Sequence, residues 1–184
     1  MPADHPVHHR LPPLAAEDHQ CPACSVAYLD VSIAQAVARI TLLPDEVRDA
    51  VADRPPDTLR RHPSAQVWSV MEYMCHLRDV YMTYTIRLHR TRTEDRPRLE
   101  PMLNDLRVRR FRYNDHAADA VLAELGMAVA GFCDEISRVA ASDWARTANR
   151  LPGEERTARW LVRQAMHEGV HHLGDIRTIL AQLG

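Results

Sequence analysis

His167-Glu168-Gly169-Val170-His171, ending thirteen residues before the C-terminus of a 184-residue chain, is an H-E-x-x-H string. Residues four apart on a helix share a face, so two imidazoles at this spacing can grip one metal ion. In zinc proteases the glutamate between them is the general base. Such a protease also needs a third ligand downstream, and this chain lacks the residues for it. It continues His171-His172-Leu173-Gly174-Asp175-Ile176-Arg177, with arginine where a third histidine would return, and no acidic residue follows Asp175. A metal site is expected and a protease is not.

The third ligand must come from another segment. In Trp68-Ser69-Val70-Met71-Glu72-Tyr73-Met74-Cys75-His76-Leu77-Arg78-Asp79, His76 sits on a mostly apolar stretch, with Glu72 one turn before it and Asp79 just after. It reads either as a core histidine bonded to a neighbour or as a ligand whose imidazole a nearby carboxylate orients. Glu72 and Glu168 are the candidate catalytic carboxylates. Glu168 points about 100° away from His167 on a helix, which suits a base at the edge of a site or a solvated residue. Asp175 and Arg177 read as helix-surface or packing residues. Cys21-Pro22-Ala23-Cys24 is half of a four-ligand zinc site, a redox pair without its usual strand–helix setting, or a plain pair of thiols. As a second metal site it would need another chain, or His19 with a histidine of the N-terminal tail, to complete it. Tyr81, Tyr84 and Tyr113 are candidate hydroxyl donors. The basic run Arg107–Arg112 reads as a solvated loop or as an anchor for a substrate carboxylate.

Positioning these residues falls to helices. Residues 1–25, rich in Pro, His and Ala, read as a short irregular arm, and residues 26–184 as one domain. Apolar residues recur at helical spacing from Asp30, and Pro44 is expected to break or restart that helix. Ser64 or Ser69 can cap a second long helix running to about Arg92. A charged, Pro-interrupted connection covers Thr93 to about Asn114. A third helix spans roughly Ala117–Ala141, and a fourth runs from about Thr157 to Leu183 after a turn at Leu151-Pro152-Gly153. Nothing reads as a sheet. The fold class is all-α, a four-helix bundle, in which metal sites are built from side chains on facing helices.

Composition narrows the function classes. With 23 basic and 25 acidic residues the chain lacks the overall positive charge of a nucleic-acid binder. No apolar run approaches the ~20 residues that a membrane span requires. The N-terminus has no secretory signal, and four cysteines in such a chain suit thiols, so a cytoplasmic protein is expected. A small-molecule substrate is the expected partner, and burial between helix pairs would allow a homodimer.

The helix W-S-x-x-E-x-x-x-H-x-x-D of Trp68–Asp79, followed by H-x-x-x-H-H-x-G-D-I of His167–Ile176, resembles the DinB/YfiT-like superfamily of metal-binding four-helix bundles. The Cys21-x-x-Cys24 start is similar to that of an actinobacterial branch. The resemblance implies one divalent metal, Zn²⁺ or Ni²⁺, held by His76, His167 and His171 with a coordination position left open. Other members use a register that would enlist His172 with Glu168. The all-imidazole set is preferred here because it fits the spacing and the softer first-row metals. The activity implied is that of a transferase or isomerase using a low-molecular-weight thiol, mycothiol or bacillithiol, which the metal activates. Hydrolysis by metal hydroxide on the same residues is one alternative. A non-catalytic metal- or ligand-binding bundle is another.

Overall fold

The computed structural model describes residues 12–184. The tail histidines His5, His8 and His9, and the first part of the N-terminal arm, lie outside the described residues. Six helices and one hairpin follow one another: α1 (Ile33–Val51), α2 (Pro56–Arg60), α3 (Val70–Thr93), α4 (Asn104–Arg110), α5 (Ala118–Ser137), β1 (Thr147–Asn149), β2 (Glu155–Thr157) and α6 (Ala158–Leu183). The four long helices are α1, α3, α5 and α6. Each of α1 and α3 packs against both α5 and α6, giving a ring in the order α1-α5-α3-α6. The core lies between them, with Ile40, Met71, Met74, Leu77, Leu88, Leu125, Phe132 and Leu161 among its fully buried side chains.

Local chemistry sets the helix starts. Ser32 and Gln35 form a reciprocal capping box at α1, as do Ser69 and Glu72 at α3. Each satisfies two backbone N–H groups that the first turn would otherwise leave unpaired. Thr157 caps α6 by accepting from the backbone N–H of Trp160. Ser69, not Ser64, therefore starts the second long helix.

Two expectations differ from what is observed. Pro44 does not break the first helix: α1 runs through it, and Pro44 is buried with Ile40, Leu43 and Val47 against α5 and α6. A proline inside a helix costs about 3 kcal/mol, and burying a few aliphatic side chains at about 1.5–3 kcal/mol each offsets it. A small sheet also exists, since β1 pairs antiparallel with β2 around the Leu151–Gly153 turn. The arm is tied down over residues 12–25. Arg156 donates to the carbonyls of Leu14 and Ala15, Trp160 Nε1 donates to Ala16 O, and Glu17 accepts from Thr157 N. The Thr93–Asn114 connection contains the short α4, and the proline-rich linker after α1 forms the single turn α2.

Candidate metal centres on α6

Two overlapping pairs of possible ligands stand on α6. His167 and His171 are one turn apart, and so are Glu168 and His172. The second pair is rotated about 100° from the first, so the pairs face different neighbours.

Glu168 and His172 face α3. With His76 they form a group whose ligand atoms all lie within 4.8 Å of one another. Glu168 Oε2 is 3.6 Å from His76 Nε2 and 3.1 Å from His172 Nε2. Tetrahedral zinc with bonds of ~2.0 Å needs neighbouring N/O ligands about 3.3 Å apart, and these two distances bracket that value. His76 is 2% exposed, and its Nε2 is buried with no hydrogen-bond partner among the described residues. Burial holds this imidazole below its usual pKa and hence neutral, with a lone pair to give. His172 is held from behind, its Nδ1 lying 2.8 Å from Asp175 Oδ2. Burial opposes charge on His172, but hydrogen bonds to Asp175 and Glu168 overcome it and push the group up to about 9. Burial also opposes ionisation of Glu168, yet the hydrogen bond from His172 and the charge of that imidazole hold its carboxyl well below the usual range. The remaining oxygen, Oε1, accepts from Gln164 Nε2 at 2.6 Å.

His167 and His171 face the N-terminal segment. Together with Cys21 and Cys24 they form a second group within 4.8 Å. His167 Nε2 is another buried nitrogen without a partner, and burial pushes this histidine down to about 4. His171 Nδ1 lies 3.5 Å from Cys21 Sγ, and its Nε2 lies 3.7 Å from Asp175 Oδ2. His76, His167 and His171 are thus not gathered around one point. His76 meets the Glu168–His172 pair, and His167 with His171 meets the cysteines. A third group, His171, His172 and Asp175, shares members with both.

Other candidate residues separate clearly. Glu72 is engaged in the α3 cap, its Oε2 accepting from Ser69 N at 2.8 Å, with His62 and Asn114 beside it. Asp79 does not orient His76. It binds Arg78, Arg107 and the Tyr113 hydroxyl, and so ties α3 to α4 and the following loop. Tyr81 donates to Ala165 O, which leaves Tyr84 as the tyrosine that lines a pocket. Trp68, half-buried at the edge of the core, packs its ring edge-on against His76. Asp175, read as a helix-surface or packing residue, stands beside His171 and His172. Tyr28 carried no signal in the sequence. It is buried at the second group, its hydroxyl donating to Gln164 Oε1 and lying 2.9 Å from His167 Nδ1.

A cavity of about 460 Å³ reaches Glu168 and Gln164. Its wall includes Tyr84, Arg87, Met102, Arg109 and Arg150, together with residues 12–15. Arg87 is nearly buried beside the Tyr84 ring. It donates to Glu100 O, while its Nε has no partner. Of the basic run, Arg107 is committed to Asp79, and Arg109 reaches the cavity wall.

The sequence profile of the DinB superfamily matches residues 39–176. No curated protein matches the sequence. Among solved structures, YfiT from Bacillus subtilis, described as a probable metal-dependent hydrolase with an unusual four-helix bundle topology, aligns with a TM-score of 0.75 at 16% identity. That alignment covers 81% of this chain and 87% of YfiT. A mycothiol-dependent maleylpyruvate isomerase aligns with a TM-score of 0.64 at 13% identity, over 84% of this chain and 68% of the isomerase. At these identities the likeness establishes the fold. The bundle is the one these two proteins share.

Proposed function

The chain belongs to the DinB superfamily, and we propose that it is a metal-dependent enzyme in which His76, Glu168 and His172 hold the ion and a small-molecule thiol is activated against an anionic electrophile. The observation that carries this reading is the buried, unpartnered Nε2 of His76, facing Glu168 and His172 beside an open cavity. The residues fit such an ion. Two imidazoles and a carboxylate are a usual catalytic donor set, and fewer than four protein ligands leave room for a reactant. A divalent ion here, Zn²⁺ or Ni²⁺, would lower the pKa of an approaching thiol or water and so supply a nucleophile near neutral pH.

The chain's own groups do the remaining work. Asp175 accepts from His172 Nδ1–H and so turns Nε2 towards His76 and Glu168. Gln164 occupies Glu168 Oε1 and leaves Oε2 for the histidine side. Arg87, which lines the cavity and whose buried Nε has no partner among the described residues, suits a carboxylate of the substrate or the thiol, and Arg109 adds positive charge. Burial raises the pKa of Tyr84, so its hydroxyl stays protonated and can donate. The likeness of fold to a mycothiol-dependent isomerase supports a thiol of that kind as the co-substrate. A second reading, hydrolysis by activated water, draws on the donor set itself, because two histidines and a glutamate also serve hydrolytic zinc enzymes.

The test is turnover by the metal-loaded protein given mycothiol or bacillithiol with carboxylate-bearing electrophiles, followed by mass spectrometry of the products. Turnover that needs metal and thiol together, and is lost in His172→Ala, is expected. Ester or amide hydrolysis without thiol would favour the second reading. Inactivity with every thiol and electrophile would contradict the first.

A further inference from the structure

The H-E-x-x-H histidines do not face His76, and what they face is a turn built to present two sulfurs. Backbone hydrogen bonds from Cys21 N to Val26 O and from Ser25 N to Cys21 O close the segment Cys21–Val26, and a bridge between Gln20 and Ala27 closes it further. Ser25 takes a left-handed φ of 60°, which lets the chain reverse so tightly. Cys21 is buried and Cys24 half-buried, and neither forms a disulfide.

The imidazoles are prepared for the same purpose. Gln164 Nε2 donates to the carboxylate of Glu168, which fixes the amide so that Gln164 Oε1 faces Tyr28. The Tyr28 hydroxyl spends its one proton on that oxygen and can then only accept from His167 Nδ1. Nδ1 of His167 is therefore the protonated nitrogen, and the lone pair is on Nε2, the buried atom without a partner. His171 is arranged the other way round: its Nε2 is on the side of the Asp175 carboxylate, and Nδ1 is directed at Cys21 Sγ. The Nδ1–Sγ separation of 3.5 Å matches the ~3.6 Å that tetrahedral zinc requires between a nitrogen at ~2.0–2.1 Å and a sulfur at ~2.3 Å.

We propose that Cys21, Cys24, His167 and His171 form a second metal site, a closed tetrahedral zinc clamp that fastens the N-terminal segment to α6. Four protein ligands leave no position for a reactant, so this site is structural. The clamp bears on the cavity in two ways. Residues 12–15, a few positions before Cys21, line its wall, and the chain Glu168–Gln164–Tyr28–His167 joins the two centres through hydrogen bonds. One helix then serves both, with each ligand pair fixing the rotation at which α6 presents the other.

The two centres have no ligand in common, and a thiolate-specific readout keeps them apart. Cobalt(II) bound by cysteine gives a sulfur-to-metal charge-transfer band in the near ultraviolet, which a site of histidines and glutamate lacks. The protein refolded or exchanged with cobalt should bind two ions per chain and show that band. Cys21→Ser with Cys24→Ser should lose the band and one ion, and His167→Ala should weaken or lose it. His76→Ala should keep the band whatever the fate of the enzymatic proposal. Absence of the band in the cobalt-loaded wild-type protein would overturn the clamp without appeal to any variant. So would cysteines that react with a disulfide reagent as fast in the metal-loaded protein as in the metal-free one.

Discussion

Substituting Gly169, the residue between the ligand pairs on α6, tests the packing that sets the rotation of that helix. A Cβ built on Gly169 would lie 2.5 Å from the Tyr81 hydroxyl and 2.9 Å from Leu43 Cδ2. Ordinary contact begins near 3.5 Å, so alanine falls short of its space by about 1 Å on the tyrosine side. Tyr81 cannot simply swing away, because it is fully buried and donates to Ala165 O at 3.1 Å. Overpacking of this kind costs about 1–3 kcal/mol, and losing the Tyr81 hydrogen bond adds about 1 kcal/mol. The better helix propensity of alanine returns about 1 kcal/mol. Gly169→Ala should therefore destabilise the metal-free protein by about 1–3 kcal/mol, or about 2–4 °C for each kcal/mol in a chain of this size. Gly174, five residues further along α6 and exposed, is the control, since no described atom lies within 4 Å of a Cβ built there. Gly174→Ala should stabilise by about 0.5–1 kcal/mol through backbone entropy alone. The assay is urea denaturation of both variants with chelator present. If Gly169→Ala stabilised the protein as Gly174→Ala does, α6 would not be seated against α1 and α3 as described, and the assignment of the two ligand pairs to their neighbours would fall with it.

Asp79→Asn should destabilise the protein by about 3 kcal/mol, because Arg78 and Arg107 lose a buried counter-ion, while metal content stays unchanged. Burial opposes ionisation of Asp79, but hydrogen bonds from Tyr113 and Arg107 hold its native pKa below 3.8. The stability difference between wild type and this variant should accordingly be complete above pH 3.8 and shrink as pH falls through the depressed native value, as chemical denaturation at a series of pH values would record. Asp175→Asn should weaken metal binding about 10- to 100-fold, measured by competition with a chromogenic chelator, because that carboxylate orients His172 and lies beside His171. Ser69→Ala should cost about 1 kcal/mol of thermal stability and leave metal stoichiometry untouched, since Ser69 and Glu72 serve the start of α3.

Much of the architecture was legible because it is local. Periodicity and capping residues marked the long helices, and the S-x-x-E pattern at Ser69–Glu72 already offered the capping box that accounts for Glu72. Pro44 misled because a proline's cost is local, whereas the burial that offsets it is tertiary. Three-residue strands are too short to alternate visibly, so β1 and β2 passed unnoticed. At the site, residue types were readable and their partners were not. One step along α6 turns a side chain by about 100°, and which of two adjacent i, i+4 pairs meets His76 depends on the rotation fixed by Gly169 against Tyr81 and Leu43. The approach of Cys21 to His171, 150 positions away, has no signature in spacing. Tyr28 gave no signal, because its role exists only once the N-terminal segment has folded back onto α6.

The central claim is that α6 carries two metal ligand sets, one towards α3 and one towards the N-terminal cysteines. Crystals of the zinc-loaded protein, measured on both sides of the zinc absorption edge, address it most directly through anomalous difference density. The account predicts two peaks per chain, one enclosed by His76, Glu168 and His172 and the other by Cys21, Cys24, His167 and His171. A single peak shared by His76, His167 and His171 would contradict it.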